Sequence, residues 1–159
     1  ITEEGKITGR ATRTAVHSGQ KQLHPVVHMH ILDKHGNVLL QKRPANKLVQ
    51  PGKWDTAVGG HIAFGESLET ALARETIEET GVKDFSARQV TVYRWDTDLE
   101  SELVYMFLTI KDFQPVVNTP EVDALKFWTK ADIRRNLGKS VFTPNFEHEF
   151  MLLTKAGFL

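Results

Sequence analysis

Residues 60–82 read GHIAFGESLETALARETIEETGV, and this stretch decides the fold. Ser67 is a good N-cap residue, and Gly81 is a residue type that commonly ends a helix. The sequence therefore predicts a helix that begins at Ser67 and ends at Thr80. The residues predicted to face inward are Leu68, Ala71, Leu72 and Thr76.

Three glutamates of this helix share one face. Glu75, Glu78 and Glu79 lie at positions i, i+3 and i+4, which are neighbours on a helical surface. Their mutual repulsion costs about half to one kcal/mol on a solvated surface, and a divalent cation removes that cost. Oxygen ligands without sulfur favour Mg²⁺ or Mn²⁺. Glutamate-rich helices are also common as solvated faces, so the glutamates alone do not establish a metal site.

The whole stretch resembles the Nudix box, the signature of the Nudix hydrolase superfamily. The spacing of the characteristic residues fits over the full span, and only Thr76 stands where an aliphatic residue is usual. The matching positions are Gly60, Glu66, Arg74, Glu75, Glu78, Glu79, Gly81 and Val82. A pattern of this length is very specific.

The resemblance implies an α/β protein, with an α/β/α sandwich around a mixed β-sheet and one domain over residues 1–159. It also implies metal-dependent cleavage of a diphosphate linkage, in a nucleoside diphosphate derivative or another organic diphosphate. Glu75, Glu78 and Glu79 would bind Mg²⁺ or Mn²⁺, Glu66 would assist them, and Arg74 would orient a glutamate by ion pairing. The general base varies within the family, and Glu78, Glu79 and Glu121 remain open as candidates.

A second group of possible metal ligands lies outside the box. Three imidazoles and two carboxylates could form a complete site for Zn²⁺, Mn²⁺ or Fe²⁺; they belong to His17, His24, His61, Glu100 and Glu102. Each of these histidines, taken singly, is more often a surface or hydrogen-bonded residue than a ligand. We assign the other four histidines to that ordinary class: His28, His30, His35 and His148.

This group resembles the metal site of type I isopentenyl-diphosphate isomerases, a second family with the Nudix fold. The shared pattern comprises Arg13-x3-His17-x6-His24, Gly60-His61 and Glu100-Ser101-Glu102. The resemblance implies that Arg43 and Lys47 contact the substrate diphosphate. We assign Arg13 to the same role, since arginine binds phosphate well.

Two departures from the isomerase pattern favour hydrolysis. The isomerases need an acidic cysteine two residues before the histidine of their Gly-His pair, where this chain has Gly59 and contains no cysteine at all. They also shield a carbocation with a late tryptophan, where this chain has Asn145. We therefore expect a hydrolase. An isomerase-like enzyme and a non-catalytic nucleotide- or metal-sensing module are the alternatives.

Composition narrows the class of protein. The chain has 159 residues with 20 basic and 20 acidic side chains. That balance gives no sign of nucleic-acid binding. No apolar run approaches membrane-spanning length, and no secretory signal is visible. We expect a cytoplasmic protein whose partner is a small-molecule diphosphate, with its oligomeric state open.

The remaining elements are predicted more coarsely. Alternation and β-branched residues predict an edge strand over 5–14 and further strands over 26–32, 38–42, 90–94 and 102–110. The polar residues 43–55 are predicted to be a loop. Thr129 and Thr143-Pro144 are expected to open two late helices.

Overall fold

The computed structural model describes residues 1–47, 49–117 and 119–159. The helices are α1 (Arg13–Val16), α2 (Leu68–Thr80), α3 (Lys130–Asn136) and α4 (Pro144–Lys155). The strands are β1 (Leu23–Leu32), β2 (Val38–Lys42), β3 (Trp54–Thr56), β4 (Val58–His61), β5 (Arg88–Asp96), β6 (Ser101–Ile110) and β7 (Ala124–Trp128).

Within the described residues, seven strands form one mixed sheet with β1 at its centre. On one side β1 pairs in parallel with β6 along its whole length. On the other side it pairs antiparallel with β2 at Leu32 and with β4 over Val26–Met29. Parallel strands need both faces covered, and nearly all of β1 is buried. The mixed sheet with its helices confirms the predicted α/β class.

The two faces of the sheet have separate apolar cores. Val27 and Met29 of β1 pack with Ala71 and Leu72 of α2. Val26 lies in the other core with Phe146 of α4. Because successive strand residues point to opposite faces, the even-numbered residues of β1 face α4 and the odd-numbered ones face α2.

Helix α2 ends at Thr80 as its sequence predicts, and it begins at Leu68, one residue after the predicted start at Ser67. Ser67 caps its N-terminus by accepting a hydrogen bond from the Thr70 N–H, at 3.2 Å. Gly81 ends it in the left-handed conformation, with φ 73°. Ala71, Leu72 and Thr76 are buried, and Leu68 is half-buried. The Thr76 hydroxyl donates to the Leu72 carbonyl, so burial leaves this unusual box residue with a partner.

Two predictions about the elements are wrong. Residues 5–14 form no strand; Thr12 instead caps the short helix α1, whose first residue is Arg13. The loop predicted over 43–55 ends earlier, because β3 begins at Trp54 and pairs with β2. None of the helices in the described ranges is both long and apolar enough to cross a membrane.

Candidate functional site

Arg74 organises the acidic residues at the start and middle of α2. Its guanidinium donates two hydrogen bonds to Glu66, both at 2.9 Å, and one to Glu75 at 2.6 Å. A further hydrogen bond to the His61 carbonyl, at 3.1 Å, ties α2 to β4. Glu78 is 3.6 Å from the same guanidinium and more than half exposed. One arginine thus arranges three predicted metal-binding carboxylates.

These contacts give neighbouring glutamates different acidities. Hydrogen bonds from Arg74 and from the Ala63 N–H lower the pKa of Glu66 to about 2. Burial raises the pKa of Glu75 despite its contact with Arg74. Glu66 is therefore permanently ionised at neutral pH, while Glu75 pays a desolvation penalty for its charge.

Glu79 is the most shielded of the three helix glutamates. Its Oε2 atom accepts hydrogen bonds from the Gly59 N–H at 2.8 Å and from the Gln41 amide at 3.1 Å. Burial nonetheless raises the pKa of Glu79 to about 8. A cation at this carboxylate would favour the ionised form. The geometry therefore fits a metal ligand.

Gly60 allows α2 to approach β4 closely. A Cβ atom at Gly60 would overlap the carboxyl group of Glu75. The box glycine is therefore needed because the Glu75 side chain lies across the backbone of β4 at this position.

The structure brings four of the five residues of the second predicted metal group together. Ligand atoms of His17, His24, His61 and Glu100 all lie within 4.8 Å of one another. They come from the C-cap of α1, from β1, from β4 and from the residue before β6. The Nε2 atoms of His17 and His61 are 3.1 Å apart, and the rings of His24 and His61 stack with centroids 5.1 Å apart.

Two buried atoms of this cluster point inward without a hydrogen-bond partner among the described residues. They are His24 Nε2 and Glu100 Oε2. The Glu100 oxygen is 2.6 Å from His17 Nδ1, but this close contact does not have hydrogen-bond geometry. His24 Nδ1 binds the Gln22 carbonyl at 2.9 Å, which directs Nε2 into the cluster. Unsatisfied buried nitrogen and oxygen atoms fit a cation held by histidine and carboxylate.

The cluster also favours the neutral imidazoles that metals bind. Burial, followed by the nearby His24, lowers the pKa of His61 to about 3. Burial likewise lowers the pKa of His24. Arg13 is exposed, and its positive charge also lowers the pKa of His61.

Glu102 is not one of the four residues of this compact cluster, and its predicted role as a ligand remains a prediction. Glu100 precedes β6, whereas Glu102 lies within the strand, paired with His24 and Trp95. Burial raises the pKa of Glu102 to about 7.

Two of the predicted phosphate-binding residues, Arg43 and Lys47, have protein partners. Arg43 donates to Asp55 at 3.1 Å and to the Val49 carbonyl. Lys47 pairs with Glu121 at 3.1 Å. Glu121 is exposed, and its carboxylate contacts this lysine rather than a box glutamate. The roles predicted for Arg43, Lys47 and Glu121 remain predictions.

The sequence interpretation missed a buried network on the α4 side of the sheet. Glu149 is fully buried, and it contacts His28 Nδ1 at 2.8 Å and His30 Nε2 at 2.9 Å. The hydroxyls of Thr56 and Tyr93 also donate to it. The pattern of α4 contained a signal, because Glu149 falls on the same helical face as Phe146, Phe150 and Leu153.

The charges of this network compensate one another. Burial opposes ionisation of Glu149, but His28 and His30 outweigh it and hold the pKa of Glu149 well below its ordinary value. Burial also opposes the charged form of His28, yet the charge and hydrogen bond of Glu149 raise the pKa of His28 to about 9. At neutral pH the pair is therefore ionised on both sides.

Comparisons with known proteins agree with this architecture. The family model described as NUDIX domain matches residues 22–146. The chain is 28% identical over 152 residues to the isopentenyl-diphosphate Delta-isomerase of Streptomyces griseus, covering 92% of this chain and 77% of the relative.

Solved structures show the same fold. The protein DR0079 from Deinococcus radiodurans superposes with a TM-score of 0.79 at 21% identity, over 95% of this chain and 94% of that one. The NUDIX domain of Shewanella oneidensis NrtR, complexed with ADP ribose, gives 0.69 at 20% identity, over 85% and 88%. With its family model, fold and relatives in agreement, this chain belongs to the NUDIX domain family and is related to the isopentenyl-diphosphate isomerase branch.

Proposed function

We propose that this protein is a Mg²⁺- or Mn²⁺-dependent hydrolase that cleaves the diphosphate linkage of a nucleoside diphosphate derivative or another organic diphosphate. The observation that carries the proposal is the complete box held in a single arrangement. Arg74 binds Glu66 and Glu75, while the backbone of Gly59 positions Glu79.

In this proposal the carboxylates of Glu75, Glu78 and Glu79 hold the metal, and Glu66 supports them through Arg74. When bound, the metal polarises phosphoryl oxygens and makes water acidic enough to deprotonate. Arg43, Lys47 and Arg13 bind the diphosphate. The pairs Arg43–Asp55 and Lys47–Glu121 hold two of these cations in place before substrate arrives.

Three carboxylates compete for the role of general base. Glu78 is exposed on the box face, Glu79 is shielded beside Gly59, and Glu121 is paired with Lys47. Replacing a general base lowers the rate by about a hundred- to ten-thousandfold. The general base is the glutamate whose replacement by glutamine also removes the fall in rate at low pH.

The experiment is a turnover assay on a panel of diphosphates with Mg²⁺ or Mn²⁺. The panel includes ADP-ribose, nucleoside triphosphates and isopentenyl diphosphate. We expect hydrolysis of at least one compound and an at least hundredfold loss in Glu79→Gln. Glu69→Gln, an exposed glutamate in the first turn of the same helix, is the matched control and retains activity. Metal-dependent binding without turnover would instead favour a sensor module.

The second candidate is an isomerase-like activity on an allylic diphosphate. The observation that favours it is the cluster of His17, His24, His61 and Glu100, which we propose as a site for Zn²⁺, Mn²⁺ or Fe²⁺. The relative from Streptomyces griseus carries the isomerase name. Gly59 and Asn145 weigh against this candidate because neither side chain is an acid or an aromatic shield.

Deuterium incorporation from heavy water tests this candidate directly. Isopentenyl diphosphate is incubated with the metal-loaded protein, and exchange is followed by mass spectrometry. Exchange that His61→Ala abolishes would establish the isomerase-like reaction. If the protein hydrolyses a compound of the panel and isopentenyl diphosphate takes up no deuterium, the isomerase-like candidate is ruled out.

A further inference from the structure

We propose that His28, held by Glu149, donates a hydrogen bond from Nε2 to a diphosphate oxygen bound over Gly59, and so is a further substrate-binding residue. The inference rests on the proposed function, because it takes the diphosphate substrate as the ligand. It adds a contact on the opposite side of the sheet from α2.

The position of the ring follows from the pairing of β1 with β4. His28 and Gly59 are direct partners in that antiparallel register. A Cβ atom at Gly59 would lie 3.3 Å from His28 Nε2. Because Gly59 has no side chain, the residue of β4 that faces His28 places no side-chain atom over this edge of the imidazole. A larger residue at position 59 would crowd Nε2.

The two nitrogens of the ring have different surroundings. Nδ1 is bonded to the buried Glu149. Nε2 makes no hydrogen bond within the described part of the chain. It is also not among the fully buried polar atoms, so it keeps some exposed surface. The side chain keeps 11% of its surface exposed, and Gly59 itself is exposed. Nε2 is thus the accessible edge of an otherwise buried ring.

Gly59 places this edge beside both predicted metal groups. Its N–H binds Glu79, the most shielded box glutamate, at 2.8 Å. His61 of the histidine cluster follows two residues later on the same strand. In this proposal a ligand oxygen over Gly59 lies beside the backbone group that binds Glu79 and two residues from His61 along β4.

The network around Glu149 orients and charges the ring. Because the carboxylate accepts from Nδ1, a second proton on the ring must be on Nε2. The raised pKa of His28, about 9, makes that doubly protonated form the main one at neutral pH. Glu102 and Asp55 also favour its charge, and His61 faces it from β4. A charge-assisted hydrogen bond to an anionic oxygen is a strong contact.

A purely structural role for His28 makes a different prediction. In that case the ring only satisfies Glu149, and a substitution changes stability but not affinity. His28→Asn separates the two roles. Its shorter amide can still donate to Glu149, but it does not reach the position that Nε2 occupies beside Gly59. Gly59→Ala separates them from the other side, because it leaves the network intact and puts a methyl group against Nε2.

The test is calorimetric titration of the full chain with methylenediphosphonate, a non-hydrolysable diphosphate, in the presence of Mg²⁺. We expect His28→Asn and Gly59→Ala each to weaken binding by about ten- to hundredfold, the loss typical of a hydrogen bond to a charged group. The double variant should bind no more weakly than the worse single variant, because both changes remove one contact. His35→Asn, at an exposed turn histidine, is the control.

Affinity within twofold of wild type in His28→Asn, or additive losses in the double variant, would overturn the contact. If His28→Asn does not fold, Gly59→Ala and the ¹⁵N shift of His28 Nε2 on adding the analogue decide. If the protein hydrolyses a compound of the diphosphate panel but these variants bind the analogue as tightly as wild type, the proposed hydrolase function stands and the His28 contact is wrong. If wild type does not bind the analogue, the contact is overturned. If wild type also turns over no compound of the panel, the proposed function is wrong too.

Discussion

Glu79 and Glu149 show how surroundings decide the behaviour of a shielded carboxylate. Glu79 has a backbone N–H and an amide as partners, and its pKa is raised to about 8 mainly by burial. Glu149 is more deeply buried, but two imidazoles hold its pKa well below the ordinary value. Charge compensation outweighs desolvation in the second case and not in the first. Glu149 therefore needs no cation, whereas a cation at Glu79 would favour the ionised form of its carboxyl group.

The ion pair of His28 and Glu149 should make stability depend on pH. The pKa of His28 rises from 6.5 to about 9 on folding, so its contribution is complete below about pH 6.5 and is lost as the pH rises through 9. The pKa of Glu149 falls below 4.5, so its contribution is present above that pH and is lost on acidification. We expect the free energy of unfolding to decline from pH 6.5 to pH 9, measured by urea denaturation.

The variant His28→Asn tests the origin of that decline. It removes the titrating ring, so its free energy of unfolding should change less between pH 6.5 and pH 9 than that of wild type. Glu102, Asp55 and His61 face the same ring and are retained. His35→Asn should keep the decline of wild type. Equal declines in wild type and His28→Asn would show that another group is responsible.

At the scale of elements, the contact between α2 and β4 shapes the box. Gly60 lets the Glu75 carboxyl lie across the strand, and Arg74 binds both Glu75 and the His61 carbonyl. The strand therefore positions a glutamate of the helix. Sequence spacing places Glu75 on the correct face of α2, but its final position depends on this contact.

We expect Gly60→Ala to lower activity much more than stability. The new methyl group would displace the Glu75 carboxyl, whose flexible side chain can move without unfolding the helix. A misplacement of about 1 Å can cost about a hundredfold in rate. The measurement is kcat on the best compound of the panel, together with the thermal midpoint.

Gly9→Ala is the matched control, because nothing lies within 4 Å of a Cβ atom at that position. It should leave both kcat and the thermal midpoint unchanged. Full activity in Gly60→Ala would mean that Glu75 does not need its observed position.

The elements differ in how far the sequence alone could predict them. The sequence predicts helix α2 to within one residue, because its cap and its terminal glycine are local signals. Strand β4 was missed, since Gly59 and Gly60 disfavour an isolated strand. It forms because its backbone pairs with β1. The edge strand predicted over 5–14 fails for the converse reason: the alternation is present, but the segment pairs with no strand.

At the scale of the whole molecule, the histidine cluster exists only because four distant segments meet. We expect Mn²⁺ or Zn²⁺ to raise the thermal midpoint of metal-free protein through this cluster. A ligand at a hundred times its dissociation constant stabilises by about 2.7 kcal/mol. His61→Ala should lose the effect, since it removes a ring that contacts both His17 and His24.

His35→Ala serves as the control for the metal experiment, because its ring is exposed in the turn before β2. It should show the same rise of the thermal midpoint as wild type. An equal rise in His61→Ala would place the metal elsewhere, and no rise in wild type would return the cluster to ordinary hydrogen-bonded histidines.

The sequence by itself determined the glutamate helix, its ends and the face that carries Glu75, Glu78 and Glu79. Those features depend on residues within a few turns of one another, so spacing and capping are sufficient. Resemblance to the isomerases grouped His17, His24 and His61, but spacing could not, because they come from three elements. Only the tertiary structure placed His28 between Gly59 and Glu149, a residue 121 positions away along the chain. Strand register and helix docking are long-range properties, and they decide which side chains meet on one face of the sheet.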